Sequence, residues 1–154
     1  MAKRKKRPVR VFIRAKFLAE FLRQVLGRHR PVSTTGSILL VDDELVLLDI
    51  LKQGLEEYFT GFSILTAKDG FIAKEKLKKN AVSLVVTNLN MPGINGFELL
   101  DYIKVNYPDI LVIICSGYHG LEKSELAREK GAVAYLRKPF RIENLVETIR
   151  GFLK

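Results

Sequence analysis

SLVVTNLNMPGINGFELL, residues 83–100, changes period part-way along. Residues 83–87 form a short β-branched run of strand character, and from residue 96 to about 106 the apolar residues follow a helical period. A loop containing Met91, Pro92 and Gly93 separates the two. The same unit recurs on either side of this stretch. Strand candidates lie at 38–41, 63–67, 83–87, 110–115 and 133–136, with helical candidates near 45–59, 70–79, 96–106, 121–130 and 142–153. In the last helix Ile142, Leu145, Val146, Ile149 and Phe152 line one face at spacings of three and four. Five strands and five helices in alternation predict a parallel sheet covered on both faces, because parallel strands need crossover connections. The unbroken apolar run LVIIC at 111–115 agrees with burial on both sides.

The chain has 154 residues, the size of one ordinary domain. Its apolar runs at 38–41, 45–48 and 110–115 fall far short of the roughly 20 residues that a bilayer span requires. Cys115 has no cysteine to pair with, and with only His29 and His119 it cannot supply a zinc site of usual spacing. It reads as a small buried residue, and a cytoplasmic setting is expected.

The net charge of +9 divides unevenly. Residues 1–36 hold eleven Lys or Arg against Glu20 alone, giving +10, while residues 37–154 hold fifteen basic and sixteen acidic side chains, giving −1. The basic character belongs to an N-terminal arm, residues 1–36, that ends in a linker at 30–36 (RPVSTTG); the sheet domain occupies 37–154. Within the arm, KRKKR at 3–7 is either a solvated run or a patch for nucleic acid or an anionic membrane. Phe17, Leu18, Phe21, Leu22, Val25 and Leu26 fit one apolar helical face, suited to a membrane surface, a partner, or packing on the domain itself. Lys16, Glu20 and Arg23 interrupt that stretch and argue against a secretory signal. A start site further downstream, with the arm a translation artefact, is the bland alternative.

Open sheets of this kind place functional groups beyond the carboxyl ends of the strands, near the point where strand order reverses. Asp42 and Asp43 follow the first strand, Asn88 the third, Ser116 the fourth and Lys138 the fifth. Four loops thus bring two acids, an amide, a hydroxyl and a lysine to one crevice. The plainer readings are helix capping for Asp42 and Asp43, a solvated charge for Lys138, a turn hydroxyl for Ser116 and a half-buried strand aromatic for Tyr135.

SILLVDDE at 37–44, TNLNMPGINGFELL at 87–100, ICSGY at 114–118 and YLRKPF at 135–140 together resemble the receiver domains of two-component response regulators. The resemblance covers about three quarters of the chain. It implies a flavodoxin-like (βα)5 fold with strand order 2-1-3-4-5, an order that general accounts of the doubly wound fold already illustrate with a receiver of this family. It also implies a stand-alone phosphorelay module rather than an enzyme, since the chain ends with the fifth helix. Such a module would meet a histidine kinase or another signalling protein through its helix 4, strand 5 and helix 5 face. By the same resemblance Asp43 is a direct magnesium ligand, Asp42 a water-mediated one and the Asn90 carbonyl a third, while Ser116 and Lys138 contact phosphoryl oxygens. Tyr135 is the aromatic that swings inward on activation, and Gly117, lacking a side chain, leaves access open.

The departure is at the centre. Where the family pattern D-x-x-M-P-G places the acceptor aspartate, this chain reads Asn88-Leu-Asn-Met-Pro-Gly93. A carboxamide is not a competent nucleophile towards phosphorus, and it brings no charge to hold a cation, so magnesium binding is expected to weaken. Thr87, offset by one, turns its side chain to the other face. Asn88 reads either as a natural degenerate site or as a deliberate Asp-to-Asn change. A haloacid-dehalogenase-like phosphotransferase would also need an aspartate there. The rival function from another class is an arm-driven nucleic-acid or membrane binder with the receiver as scaffold. Because the sheet pattern is complete without residues 1–36, deleting them should leave a cooperatively unfolding domain. A urea titration that loses its sigmoidal transition would instead make the arm part of the core.

Overall fold

The computed structural model describes residues 10–11, 36–117 and 120–153. The strands are β1 (Arg10–Val11), β2 (Gly36–Val41), β3 (Phe62–Ala67), β4 (Val82–Asn88), β5 (Leu111–Ser116) and β6 (Ala134–Arg137). The helices are α1 (Leu45–Tyr58), α2 (Gly70–Lys79), α3 (Gly96–Asn106), α4 (Leu121–Glu129) and α5 (Ile142–Phe152). The sheet order is β1-β6-β5-β4-β2-β3. From β3 to β6 the strands run parallel, and counted among themselves they follow the expected order 2-1-3-4-5.

Alternation along each strand sorts the core into two layers. Leu39, Val41, Val85, Val112, Ile114 and Tyr135 pack with α2, α3 and α4, whose Leu77, Leu99, Ile103 and Ala127 are buried there. Ile38, Leu40, Leu84, Val86, Ile113 and Leu136 face α1 and α5. The predicted face of α5 is the observed one: Leu145, Val146 and Ile149 are buried, with Ile142 and Phe152 packed against the same layer.

Several expectations need correction. Residues 10–11 add a strand that the sequence analysis did not assign: Arg10 lies opposite Tyr135 and Val11 opposite Ala134, so β1 is an antiparallel sixth strand at the β6 edge. Gly36, assigned to the linker, already belongs to β2. Asn88 and Ser116 are the last residues of their strands rather than the first of the following loops. Tyr135 is not half-buried; at 1 % exposure it lies inside the layer covered by α2, α3 and α4. The proposed helical face at 17–26 lies outside the described residues.

The turn quoted at the outset is built to bring α3 under the end of β4. Asn95 accepts hydrogen bonds from the Phe97 and Glu98 amides, and the Glu98 carboxylate accepts one from the Asn95 amide, which closes a capping box. Gly93 takes φ +78°, open to glycine at little cost. Gly96 solves a different problem. Its amide donates to the Leu89 carbonyl at 2.8 Å, and a Cβ on it would stand 2.4 Å from the Asn88 carbonyl oxygen and 2.8 Å from the Leu89 Cα. Both obstacles are backbone. Gly96→Ala should therefore cost about 1–3 kcal/mol in denaturant unfolding, the range for overpacking a filled site; an unchanged midpoint would mean that the loop gives way freely.

Candidate functional site

The carboxyl ends of the strands are level, since Val41 pairs with Thr87, Asn88 with Cys115 and Ser116 with Arg137. The chain passes from β2 outward to β3 and then back across to β4, so the crevice of an open sheet falls between β2 and β4. Asp42 and Asp43 leave β2 on one side of it and Asn88 closes β4 on the other.

Two sets of hydrogen bonds hold these groups, one around Asn88 and one around Asp42. The Asn88 side-chain nitrogen donates to the Asp43 carboxylate at 3.0 Å and to the Asn90 carbonyl at 2.9 Å. Both amide hydrogens are thereby used. The Lys138 ammonium donates to Asp42 Oδ2 at 2.6 Å, an ion pair whose side chains are 18 % and 5 % exposed. The other oxygen, Asp42 Oδ1, accepts the Glu44 amide at 3.0 Å, just before α1. Asp42 thus contributes something of the capping role weighed against it, although the N-cap residue itself is Glu44. Lys138 is tied by its own backbone as well, donating to the Ser116 carbonyl at 2.9 Å, and its peptide bond to Pro139 is cis.

Five of the expected groups therefore meet: Asp42, Asp43, Asn88, the Asn90 carbonyl and Lys138. Ser116 sits fully buried at the end of β5 and joins them through its backbone link to Lys138. Tyr135 lies three residues before Lys138 in the core and not in the crevice lining. A Cβ added at Gly117 would meet nothing within 4 Å. Thr87 is fully buried, and its hydroxyl donates to the Asn88 carbonyl at 3.0 Å rather than to the crevice.

Below the network a crevice of about 10 Å³, room for about one water, is lined by Asp42, Asn88, Cys115 and Lys138 and by apolar Leu48 and Phe140. Burial pushes the Cys115 thiol up to about 12, against the opposing pull of Lys138. It is a protonated, inert thiol in the layer under α1 and α5, consistent with its reading as a small core residue. Sequence reasoning passed over Gly96, whose signal was the Asn95-Gly96 pair, and over Leu48 and Phe140, which nothing in the sequence sets apart from other core residues.

The profile of the response regulator receiver domain matches residues 38–150. The chain belongs to this family. Among curated relatives it is 31% identical over 114 residues to the response regulator protein FleR of Pseudomonas aeruginosa, covering 74% of this chain and 24% of that protein. It is 29% identical to sporulation initiation phosphotransferase F of Bacillus subtilis, covering 75% of this chain and 92% of the relative. Of FleR and the hydrogenase regulator HoxA of Cupriavidus necator the chain spans only about a quarter. Among solved structures, a CheY-like receiver from Methanospirillum hungatei superposes with a TM-score of 0.71 at 32% identity, covering 77% of this chain and 94% of that one. A receiver from Clostridium thermocellum gives 0.67 at 33%, covering 75% and 92%. Receiver domains are signalling modules of two-component systems and generally bind magnesium at an acidic pocket.

The oxygens here are of the hard kind that magnesium prefers. As arranged, the oxygens that would face a cation are met by proton donors, Asp43 Oδ1 and the Asn90 carbonyl by the Asn88 amide and Asp42 Oδ2 by the Lys138 ammonium, so an ion would compete with these donors for its ligands. Among the described residues no group of three or more His, Cys, Asp or Glu could hold a metal ion.

Breaking a buried ion pair on one side leaves a bare charge, which costs more than the intact pair contributes. Lys138→Met should thus lose about 2–3 kcal/mol, below the fully buried figure because the Lys138 side chain keeps 18 % of its exposure. Adding Asp42→Asn, which keeps an acceptor for the Glu44 amide, should recover most of that loss. Strictly additive losses in the double-mutant cycle would show that the two side chains are not coupled.

Proposed function

We propose that this receiver signals without a phosphoryl group on its central position, Asn88, and works through protein contacts instead. The observation that carries the reading is the double hydrogen bond from the Asn88 amide to Asp43 and to the Asn90 carbonyl. An aspartate would present oxygen there, against the carboxylate of Asp43, and would call for a cation between them. The carboxamide presents N–H groups to the same two oxygens, so the crevice is satisfied with no ion and offers no nucleophile. Lys138, paired with Asp42 on the other side, is committed to a carboxylate already present. The site then biases the domain by these fixed contacts rather than by a covalent change.

Asp42, Asp43 and the Asn90 carbonyl are the magnesium-ligand positions in this reading, with Ser116 and Lys138 at the phosphoryl-contact positions and Tyr135 the aromatic that reports the domain's state. The side chain is 1 % exposed, which suits an aromatic that turns inward. The partner, a histidine kinase or another signalling protein, would dock on the face formed by α4, β6 and α5. That a receiver serves without an attached output domain is supported by the sporulation phosphotransferase, nearly all of which the match covers. Among the described residues no helix is long and apolar enough to cross a membrane.

Incubated with magnesium and acetyl phosphate, the chain should gain no phosphoryl mass while Asn88→Asp gains one; a labile phosphoryl group on the unaltered chain would sink the proposal. The same pair of proteins tests the ion. Asn88→Asp removes the amide and adds a like charge beside Asp43, worth on the order of 1 kcal/mol of repulsion at a partly solvated site. In chelator the variant should melt lower than the parent, and millimolar magnesium should raise its melting point by more. Equal magnesium shifts in both would remove the cation role from Asp42 and Asp43.

A further inference from the structure

The arm touches the domain at one described place, and that place is the outer edge of β6. A sheet edge carries a row of unpaired N–H and C=O groups and is the usual site at which an extended segment adds as an extra strand. Here β1 adds to it, antiparallel, with Arg10 opposite Tyr135 and Val11 opposite Ala134. The edge it covers is the middle of the α4, β6 and α5 face.

The pairing is easily made within one chain. Antiparallel to β6, β1 heads towards the amino end of the sheet, where β2 starts at Gly36. Residues 12–35 connect the two and could reach about 80 Å if extended. The gap from β1 to β2 is four strand spacings, about 19 Å. It is also easily undone. Among the described residues two residue pairs hold the strand, against the closure of a 24-residue loop, and a two-residue ribbon has little stability of its own.

Charge favours the same placement. On α4 the exposed Glu122, Glu125 and Glu129 recur at three and four, whereas Lys130 is drawn towards α3 by Asp101 at 2.7 Å and Lys123 lies over the Phe97 ring. The arm that delivers β1 carries +10. Arg128 on α4 and Arg137 on β6 offset part of that acidic charge.

We propose that residues 10–11 are a displaceable cover of the β6 edge: the chain occupies its own strand-addition site, and a partner reaches the bare edge only when β1 is released. The consequence for partners rests on the reading of the α4, β6 and α5 face given above. The strand exchange does not, and it is tested by backbone pairing alone, independently of any chemistry at Asn88.

The test compares residue-resolved amide hydrogen exchange in the full chain, in Arg10→Pro with Val11→Pro, and in Arg10→Ala with Val11→Ala. Proline removes the amide donors that β1 brings to the ladder, while alanine keeps them. In the proline variant the edge-facing amides of 134–136 should lose about tenfold in protection, with β2, β4 and β5 unchanged; the alanine variant should keep most of it. Unaltered β6 protection in the proline variant would overturn the proposal. So would an equal loss in the alanine variant, which would make the contact one of side chains, or a loss across every strand, which would make β1 an integral part of the fold.

Discussion

Two proton donors hold the acidic end of this sheet together, the carboxamide of Asn88 and the ammonium of Lys138. Without them Asp42 and Asp43 would leave β2 side by side, facing the end of β4 with no counter-charge. The Lys138 and Asp42 pair is nearly buried, and such pairs contribute little net stability because desolvation offsets most of the attraction. Their effect is positional. One partner leaves β2 and the other follows β6, strands separated by β4 and β5, so the pair spans the functional end of the sheet. The Asn88 amide closes the remaining gap between β2 and the loop after β4.

That arrangement depends on register. A slip of one residue in β4 would exchange Thr87 for Asn88 at the crevice and turn the amide into the layer under α2, α3 and α4. The two-sided core forbids the slip, since Val85 and Val86 fill different layers and each layer is closed by helices. Gly96 adds a backbone constraint: α3 approaches the end of β4 so closely that only a residue without Cβ fits. Packing far from the crevice therefore decides which atom of residue 88 meets Asp43.

What could be read from the sequence follows from this division. Alternating strands and helices, with an apolar run such as 111–115, were legible because burial on both faces leaves a compositional trace, and the strand order came with the family resemblance. The crevice members were legible because a single rule, groups after the carboxyl ends of parallel strands, collects them from four loops. The partners within the crevice were not. Whether Lys138 would meet residue 88 or Asp42 depends on the detailed course of three loops, and sequence carries no such measure. The depth of Tyr135 stayed open for a related reason: a tyrosine in a strand is amphipathic, and only the layer over it settles how far in it lies. The β1 pairing left no trace at all, since two residues cannot display a period.

β6 carries both halves of what is distinctive here. It is four residues long; β1 lies against Ala134 and Tyr135, and the residue after its end is Lys138, held to Asp42 and to the Ser116 carbonyl. Tyr135, the partner of Arg10 in that pairing, is buried among residues of α2, α3 and α4. The inner side of β6 pairs with β5 through every residue, so with the edge bare the strand would still be held by β5 and, just past its end, by the Lys138 and Asp42 pair. One four-residue strand therefore carries both the contact with the arm and the lead-in to Lys138.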